Sequence, residues 1–261
     1  MSKINIGFGI TRDWLKYTSV VMCSILANAN SENYKFFIMS DFSEGEFEQE
    51  FSDKYQKLKD IYPFDYEYIK MNPADFEDVL HDERVGISAL YRLKLASLTN
   101  EDKMLYLDSD IVVLKNISEL WNYDISGYLL GAVEDKYSEL MTCQADLGDD
   151  ETYYNSGVLL MNLKKFREEN VEQVIFPKLR EPENAYSDQD VLNNVCRNKI
   201  LSLPLKYNLM LTNDDPNAFP KRKDEFAESL CNPVILHYAI KPWILPVQYS
   251  EYWRKYADII K

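Results

Sequence analysis

The sequence predicts an α/β fold built on a mostly parallel central sheet. Two observations carry this reading. Short apolar or alternating runs that read as strands are separated by segments of helical period, the alternation that builds strand–helix–strand units. Met104-Leu-Tyr-Leu107, four apolar residues in a row, has the composition of a strand covered on both faces. A length of 261 residues fits one such domain, with a short helical segment from about residue 244 appended to it.

The elements follow in order. Ile4 to Phe8 reads as a first strand, and Trp14 to Ala29 as a helix with Tyr17, Val21 and Ile25 at i, i+4 and i+8. Tyr34 to Met39 is a second strand, residues 43–60 a Glu-rich helix, and Phe64 to Met71 a third strand. A helix is expected from Ile87 to Leu98, with Ile87, Leu90, Tyr91, Leu95 and Leu98 on its apolar side. Arg92 projects from the other face, either as a solvated charge or turned toward the end of the central strand. Ile117 to Trp121 reads as a short helix, and Tyr128 to Val133 as a strand that ends in Glu134-Asp135. Residues 136–152 show no period, and a loop of that length in a small domain usually serves binding. Tyr153 to Asn162 is a polar turn feeding a buried strand. There Gly157 admits close backbone approach, and Asn155 can donate to and accept from hydroxyls. Ser187 or Asp188 caps a helix carrying Val191, Leu192 and Val195, and Pro233 to His237 is a strand that ends in a histidine.

Composition removes several functions. A net charge of −14 argues against nucleic acid and against an anionic membrane held by charge alone. Two histidines cannot build a His-rich metal centre. Cys23, Cys143, Cys196 and Cys231 are widely spaced and read as buried free thiols in a reducing compartment. The N-terminus has no signal pattern and no apolar run approaches a membrane span, which points to the cytoplasm with no strong membrane anchor. Gly7-Phe-Gly9 lacks the third glycine of a dinucleotide loop, and Arg12 stands in its place.

Chemistry concentrates at Asp108-Ser-Asp110, where apolar strand residues bracket two carboxylates. At i and i+2 in an extended chain both carboxylates point one way and can share a hard cation such as Mg²⁺ or Mn²⁺ with a substrate phosphate. Alone the pattern is weak. Asp188-Gln-Asp190 repeats it within what a helix cap would explain equally well. At the other end of the chain, His237 with Lys241 shortly after could join a metal and a phosphate.

Five segments in order, Tyr91-Arg-Leu-Lys-Leu95, Leu105-Tyr-Leu-Asp-Ser-Asp-Ile111, Asn155-Ser-Gly-Val-Leu-Leu-Met-Asn162, Asp188-Gln-Asp190 and His237 with Lys241-Pro-Trp243, resemble glycosyltransferase family 8. The resemblance runs from Ile4 to about Trp243. It implies a GT-A, Rossmann-like fold and a retaining hexosyltransferase that takes galactose or glucose from UDP-galactose or UDP-glucose to a glycan acceptor. It implies Mn²⁺ (or Mg²⁺) on Asp108, Asp110 and His237, with Lys241 on the diphosphate. The donor would be held by Phe8, Gly9, Thr11, Asp13, Arg92, Asp108, Ser109, Asn155, Ser156, Asp188 and Gln189, with Asp135 toward the acceptor. Asp188 and Gln189 take the catalytic positions. Gln189 is an uncharged amide and a poor nucleophile, which favours attack on the same face as the departing phosphate.

The chain departs from the family pattern in three places. Thr11 and Arg12 stand where many members carry an acid that reads uracil. The His237–Lys241 spacing is also short and lacks glycine. The basic, aromatic tail of some bacterial relatives is expected to be a remnant at most, Trp253-Arg-Lys-Tyr256. Other readings are a sugar-nucleotide pyrophosphorylase-like transferase, a non-catalytic nucleotide-sugar or glycan-binding module, and a self-glucosylating initiator like glycogenin. A bacterial cytoplasmic protein, at most peripheral at the inner face of the membrane, is the expected setting; the oligomeric state stays open.

Overall fold

The computed structural model describes residues 3–79, 86–136, 147, 151–180, 188–211 and 219–261. Strands β1 (Lys3–Gly9), β2 (Asn33–Ser40), β3 (Phe64–Lys70), β4 (Lys103–Leu107), β6 (Leu130–Glu134), β7 (Tyr154–Asn162) and β8 (Ile200–Leu203) form one sheet in the order β3-β2-β1-β4-β7-β6-β8. The pairings β1 with β2 and β4, β2 with β3, and β6 with β8 are parallel; β7 runs antiparallel to both its neighbours. The expected mostly parallel sheet is present. A second sheet joins β5 (Ile111–Val113), β10 (Ile235–Tyr238) and β9 (Leu209–Leu211), with β10 between the other two. The sequence reading had no counterpart for β8 or β9.

Helix α1 (Leu15–Ala27) is buried almost all round rather than on one stripe, because it lies against α2 (Glu44–Ile61), β5 and the C-terminal helix α9 (Ser250–Ile259). Helix α2 starts at a capping box in which Ser43 and Glu46 satisfy each other's backbone N–H, and it packs Phe47, Phe51 and Leu58 inward. The remaining described α-helices are α3 (Leu95–Leu98), α4 (Ser118–Trp121), α5 (Leu163–Glu168), α6 (Val171–Lys178), α7 (Asp188–Val195) and α8 (Lys223–Cys231). The helix expected from Ile87 to Leu98 is instead a 3-10 helix, Ile87–Lys94, that runs into the single turn of α3. The tighter winding buries Ala89 through Leu93 without a break, Arg92 included. Strand β6 begins at Leu130; the expected first residue, Tyr128, lies outside it and is exposed. The thiol expectation holds for Cys23 and Cys196, which are buried, and fails for Cys231, which is exposed; Cys143 lies outside the described residues. The C-terminal helix is tied down: Tyr256 is buried and its hydroxyl accepts from Asn28 Nδ2 at 3.0 Å, while the Trp253 ring sits 5.4 Å from that of Trp243.

The chain leaves β1 to pair β2 on one side and β4 on the other, so strand order reverses between β1 and β4. Open α/β sheets bind ligands outside the carboxyl ends of the strands at such a reversal. Gly9 ends β1 there, pressed against the 3-10 helix: a Cβ on it would lie 2.4 Å from the Ser88 carbonyl oxygen. That neighbour is backbone and cannot swing aside. Gly9→Ala is expected to lower stability by roughly 1–3 kcal/mol, an overpacking cost read by urea denaturation. An unchanged midpoint would show that the helix is not fixed against this strand.

Candidate active site

The two acids of the Asp108-Ser-Asp110 turn are set by backbone bonds on both sides. Asp108 N donates to Gly157 O at 2.9 Å, and Tyr238 N donates to Asp110 O at 2.9 Å. The first bond ties the turn to β7 and the second ties it to β10, which brings His237 alongside. One ligand atom each from Asp108, Asp110 and His237 lies within 4.8 Å of the others. A Cβ at Gly157 would meet His237 Cε1 at 2.4 Å and Asp108 Oδ2 at 2.9 Å. Glycine at this position is therefore what lets the histidine close on the two acids, a more specific requirement than close approach to a ligand.

Ser109 is anchored by α1. The Thr18 hydroxyl donates to Trp14 O at 3.0 Å, so the 2.8 Å contact between the two hydroxyls is donated by Ser109. The turn borders a cavity of about 260 Å³, whose wall includes Gly9, Trp14, Ser88, Tyr106, Asp108, Asp110 and Lys241.

Arg92 is a correction to the solvated reading. Only 3% exposed, it reaches Asp108 Oδ1 at 2.9 Å and Asp188 Oδ2 at 3.2 Å. It also donates through Nε to Ala89 O at 2.7 Å and through a terminal nitrogen to Ser156 O. Its guanidinium lies 4.2 Å from the centroid of the Tyr106 ring, whose hydroxyl donates to Asp108 Oδ1 at 3.1 Å. Burial opposes the charge on Arg92, and Asp108 and Asp188 more than restore it. Burial raises the Asp188 carboxyl; Arg92 opposes that rise and Asp108 adds to it.

Lys241 bonds Asp110 Oδ2 and donates to Tyr238 O at 3.2 Å. The short segment after His237 therefore still delivers its lysine to the cavity wall. Burial would raise the Asp110 carboxyl, yet His237 and then Lys241 hold it below the ordinary carboxylate range. Asp110 Oδ1 faces His237 Nε2 at 3.3 Å and is buried with no hydrogen-bond donor among the described residues. A buried, unsatisfied carboxylate oxygen beside an imidazole nitrogen suits a divalent cation of the Mn²⁺ type, which accepts oxygen and imidazole ligands together.

Asp135, Asn155 and Gln189 form an adjoining network. Asn155 Nδ2 donates to Asp135 Oδ2 at 2.9 Å and to Gln189 Oε1 at 3.2 Å; Gln189 Nε2 donates to Asp135 Oδ2 at 3.2 Å, and Ser156 N donates to Gln189 Oε1 at 2.9 Å. Asn155 Oδ1 accepts from Gly157 N at 2.9 Å and from Asn208 Nδ2 at 2.8 Å. All four bonds of the Asn155 amide thus go to protein partners rather than to a hydroxyl. Of the residues named from sequence, Gly9, Arg92, Asp108, Ser109, Asp110 and Lys241 line the cavity, whereas Asp135, Asn155, Ser156, Asp188, Gln189 and His237 lie behind or beside that lining and Phe8, Thr11 and Asp13 stand apart from it. The Phe8 ring is fully buried and stacks on Phe36 at 6.0 Å, Asp13 is exposed, and Thr11 is half-buried. Arg12 turns outward to Glu46 and Glu50 on α2. Trp14, Tyr106 and Asn208 were not singled out from sequence. Only Trp14 carried a signal, an aromatic directly after the polar turn that ends β1. Ser187, and residues 137–146 and 148–150 of the expected binding loop, lie outside the described residues.

With this geometry in place, three comparisons bear on the chain. The family described as glycosyl transferase family 8 matches residues 5–244. General stress protein A of Bacillus subtilis is 27% identical over 68% of this chain and 66% of its own length. A lipopolysaccharide 1,2-glucosyltransferase of Escherichia coli is 27% identical over 92% of this chain and 72% of its own. The chain thus spans about two thirds to three quarters of these relatives. A solved structure of the galactosyltransferase LgtC, in complex with donor and acceptor sugar analogs, superposes with a TM-score of 0.82 at 26% identity, over 98% of this chain and 95% of that one. That likeness gives the GT-A fold.

Two outcomes follow from the site as built. Arg92→Ala strands the buried Asp188 carboxylate and is expected to cost roughly 3–5 kcal/mol in chemical denaturation, with Arg92→Lys recovering only part because a point charge cannot span both acids. A loss below about 1 kcal/mol would equate Arg92 with a surface charge. The second outcome concerns pH. Burial would lower the His237 imidazolium's pKa, but the facing Asp110 carboxylate outweighs it and holds the value above the ordinary one for histidine. A metal needs the neutral ring. Mn²⁺ affinity, titrated calorimetrically, is therefore expected to be flat above that raised value and to fall about tenfold per pH unit below it. A profile flat through mildly acidic pH would remove His237 from the ligand set.

Proposed function

This chain belongs to glycosyl transferase family 8, and on that footing we propose that it is a retaining hexosyltransferase. It moves galactose or glucose from a UDP-sugar to a glycan acceptor in the bacterial cytoplasm. The observation that carries the reading is the Asp108, Asp110 and His237 set at the switch point of the sheet, beside a cavity that Lys241 borders.

Breaking the bond between a sugar and a nucleoside diphosphate leaves negative charge on the phosphate and positive character at the sugar carbon. Asp108, Asp110 and His237 would hold a divalent cation, Mn²⁺ or Mg²⁺, which when bound would supply Lewis-acid charge to the leaving diphosphate. Lys241, now on Asp110, exchanges that contact for the diphosphate and adds a second positive charge. Arg92 lies against Asp108 and Asp188 and fixes their positions, so both enter the reaction already oriented. Asp188 binds a hydroxyl of the donor sugar.

In this reading Gln189 takes the reacting face; its amide is bonded to Ser156, Asn155 and Asp135. Such an amide can orient a sugar but makes a poor nucleophile, which supports departure and attack on one face with the leaving phosphate taking the acceptor's proton. Asp135 is 5% exposed and bonded to both amides, which supports a role in fixing that face on the acceptor side. Trp14, on the cavity wall, offers a flat apolar surface for the nucleotide. No described helix is long and apolar enough to cross a membrane.

The test is nucleotide release from a panel of nucleotide sugars with Mn²⁺ and with chelator. Slow metal-dependent hydrolysis of one UDP-hexose is expected, falling by roughly 10²–10³-fold in Asp110→Asn, the scale of removing one electrostatic stabiliser of a transition state. Tight metal-dependent donor binding with no turnover, even with glycan acceptors supplied, would make the chain a binding module. A trapped glycosyl-enzyme on Asp188 would replace the single-face mechanism with double displacement.

A further inference from the structure

His237 offers its ring to the metal site through one nitrogen, and which nitrogen is unprotonated decides whether it can ligate at all. The hydrogen-bond chain behind it settles that choice from groups whose roles are fixed. The Gly157 backbone N–H can only donate, and it points at Asn155 Oδ1 at 2.9 Å. The Asp135 carboxylate can only accept, and it takes Asn155 Nδ2 at 2.9 Å. The Asn155 amide therefore has one orientation. Its Oδ1 accepts from Asn208 Nδ2 at 2.8 Å, which in turn orients the Asn208 amide and leaves Asn208 Oδ1 facing His237 Nδ1 at 2.9 Å. An amide oxygen can only accept, so Nδ1 carries the proton. Nε2 then presents its lone pair toward Asp110 Oδ1 at 3.3 Å.

We propose that Asn208 is a positioning residue that holds His237 as the Nδ1–H tautomer and so presents Nε2 to the divalent cation. Asn208 is 3% exposed and follows the 3-10 turn Leu205–Tyr207 at the start of β9, the strand paired to β10 in the register Leu236 to Leu209. The pairing of β9 with β10 thus has a chemical purpose: it delivers an acceptor to the far side of the histidine. The same amide links the two ends of the site, since its nitrogen is bound to the Asn155 that also holds Asp135 and Gln189. Outer partners of this kind set ring orientation and ligand basicity. The inference rests on the metal-binding reading for its purpose but not for its geometry.

The chain has only two histidines, His81 and His237. Two-bond ¹H–¹⁵N spectra of the ¹⁵N-histidine-labelled protein can therefore be assigned with His81→Gln. In metal-free wild type at alkaline pH the His237 ring is expected to show a protonated Nδ1 and an unprotonated Nε2. An Nε2–H ring in wild type would overturn the proposal with no mutation needed. Asn208→Ala is expected to move His237 toward the Nε2–H form and to weaken Mn²⁺ binding by roughly 10–100-fold. Asn208→Asp keeps an acceptor for Nδ1–H and should hold the wild-type tautomer. If Asn208→Ala, shown folded by circular dichroism, keeps both the tautomer and the wild-type affinity, Asn208 is only a packing residue. Should wild type bind no Mn²⁺ at all, the metal reading fails, while the tautomer spectrum still decides the hydrogen-bond chain.

Discussion

The guanidinium of Arg92 between Asp108 and Asp188 is the contact on which the rest of the site depends. Asp188 is 2% exposed, so water cannot screen its charge, and an isolated carboxylate at that depth would take up a proton. Arg92 reaches both acids because the tight 3-10 winding of Ile87–Lys94 turns it inward against Tyr106. The same winding pushes Ser88 onto Gly9. One local choice of helix type therefore shapes a wall of the cavity and supplies the countercharge behind it. Its hydrogen bonds to Ala89 O, Ser156 O and Asp108, with the charge contact to Asp188, make Arg92, on the wall of the cavity, a scaffold for the two carboxylates.

This placement bears on how an acidic protein can hold an anionic substrate. At a net charge of −14 the average field repels a diphosphate, but beyond about 8 Å that field is screened at physiological salt. What counts is the charge within a few ångströms. There Arg92 already answers Asp108 and Asp188, and Lys241 answers Asp110. Asp110 Oδ1 still lacks a donor among the described residues. A divalent cation at that oxygen would satisfy it and release Lys241 for phosphate, which ties metal and donor binding together.

Much of this was legible in the sequence, and the parts that were not share a cause. β1 to β4 could be read because each carries its own period or apolar run, and Asp108-Ser-Asp110 because apolar residues bracket it. Gly157 was recognised as a close-approach glycine, but not the partner it approaches, since the pairing of β10 with β5 joins residues more than a hundred positions apart. Arg92 was ambiguous for a related reason. Helical periodicity assigns it to the polar face, and only the change to 3-10 winding, which tertiary packing imposes, moves it inward. β8 and β9 are short and partly polar, so they carry no strand signature apart from the neighbours they pair with. Asn208 was invisible because an asparagine after a short turn reads as turn chemistry.

The hydrogen bonds run in one direction, from fixed donors and acceptors at Gly157 and Asp135, through two asparagine amides, to the ring of His237. An amide differs from a carboxylate or an ammonium in that its two ends are not alike, so a chain of amides carries orientation as well as contact. Replacing either asparagine by aspartate would preserve size and lose that polarity at one step. It follows that Asp135 and His237, at opposite ends of the site, are coupled through Asn155 and Asn208 without touching. In this fold Asp135, Asn155, Asn208 and His237 are one hydrogen-bonded unit.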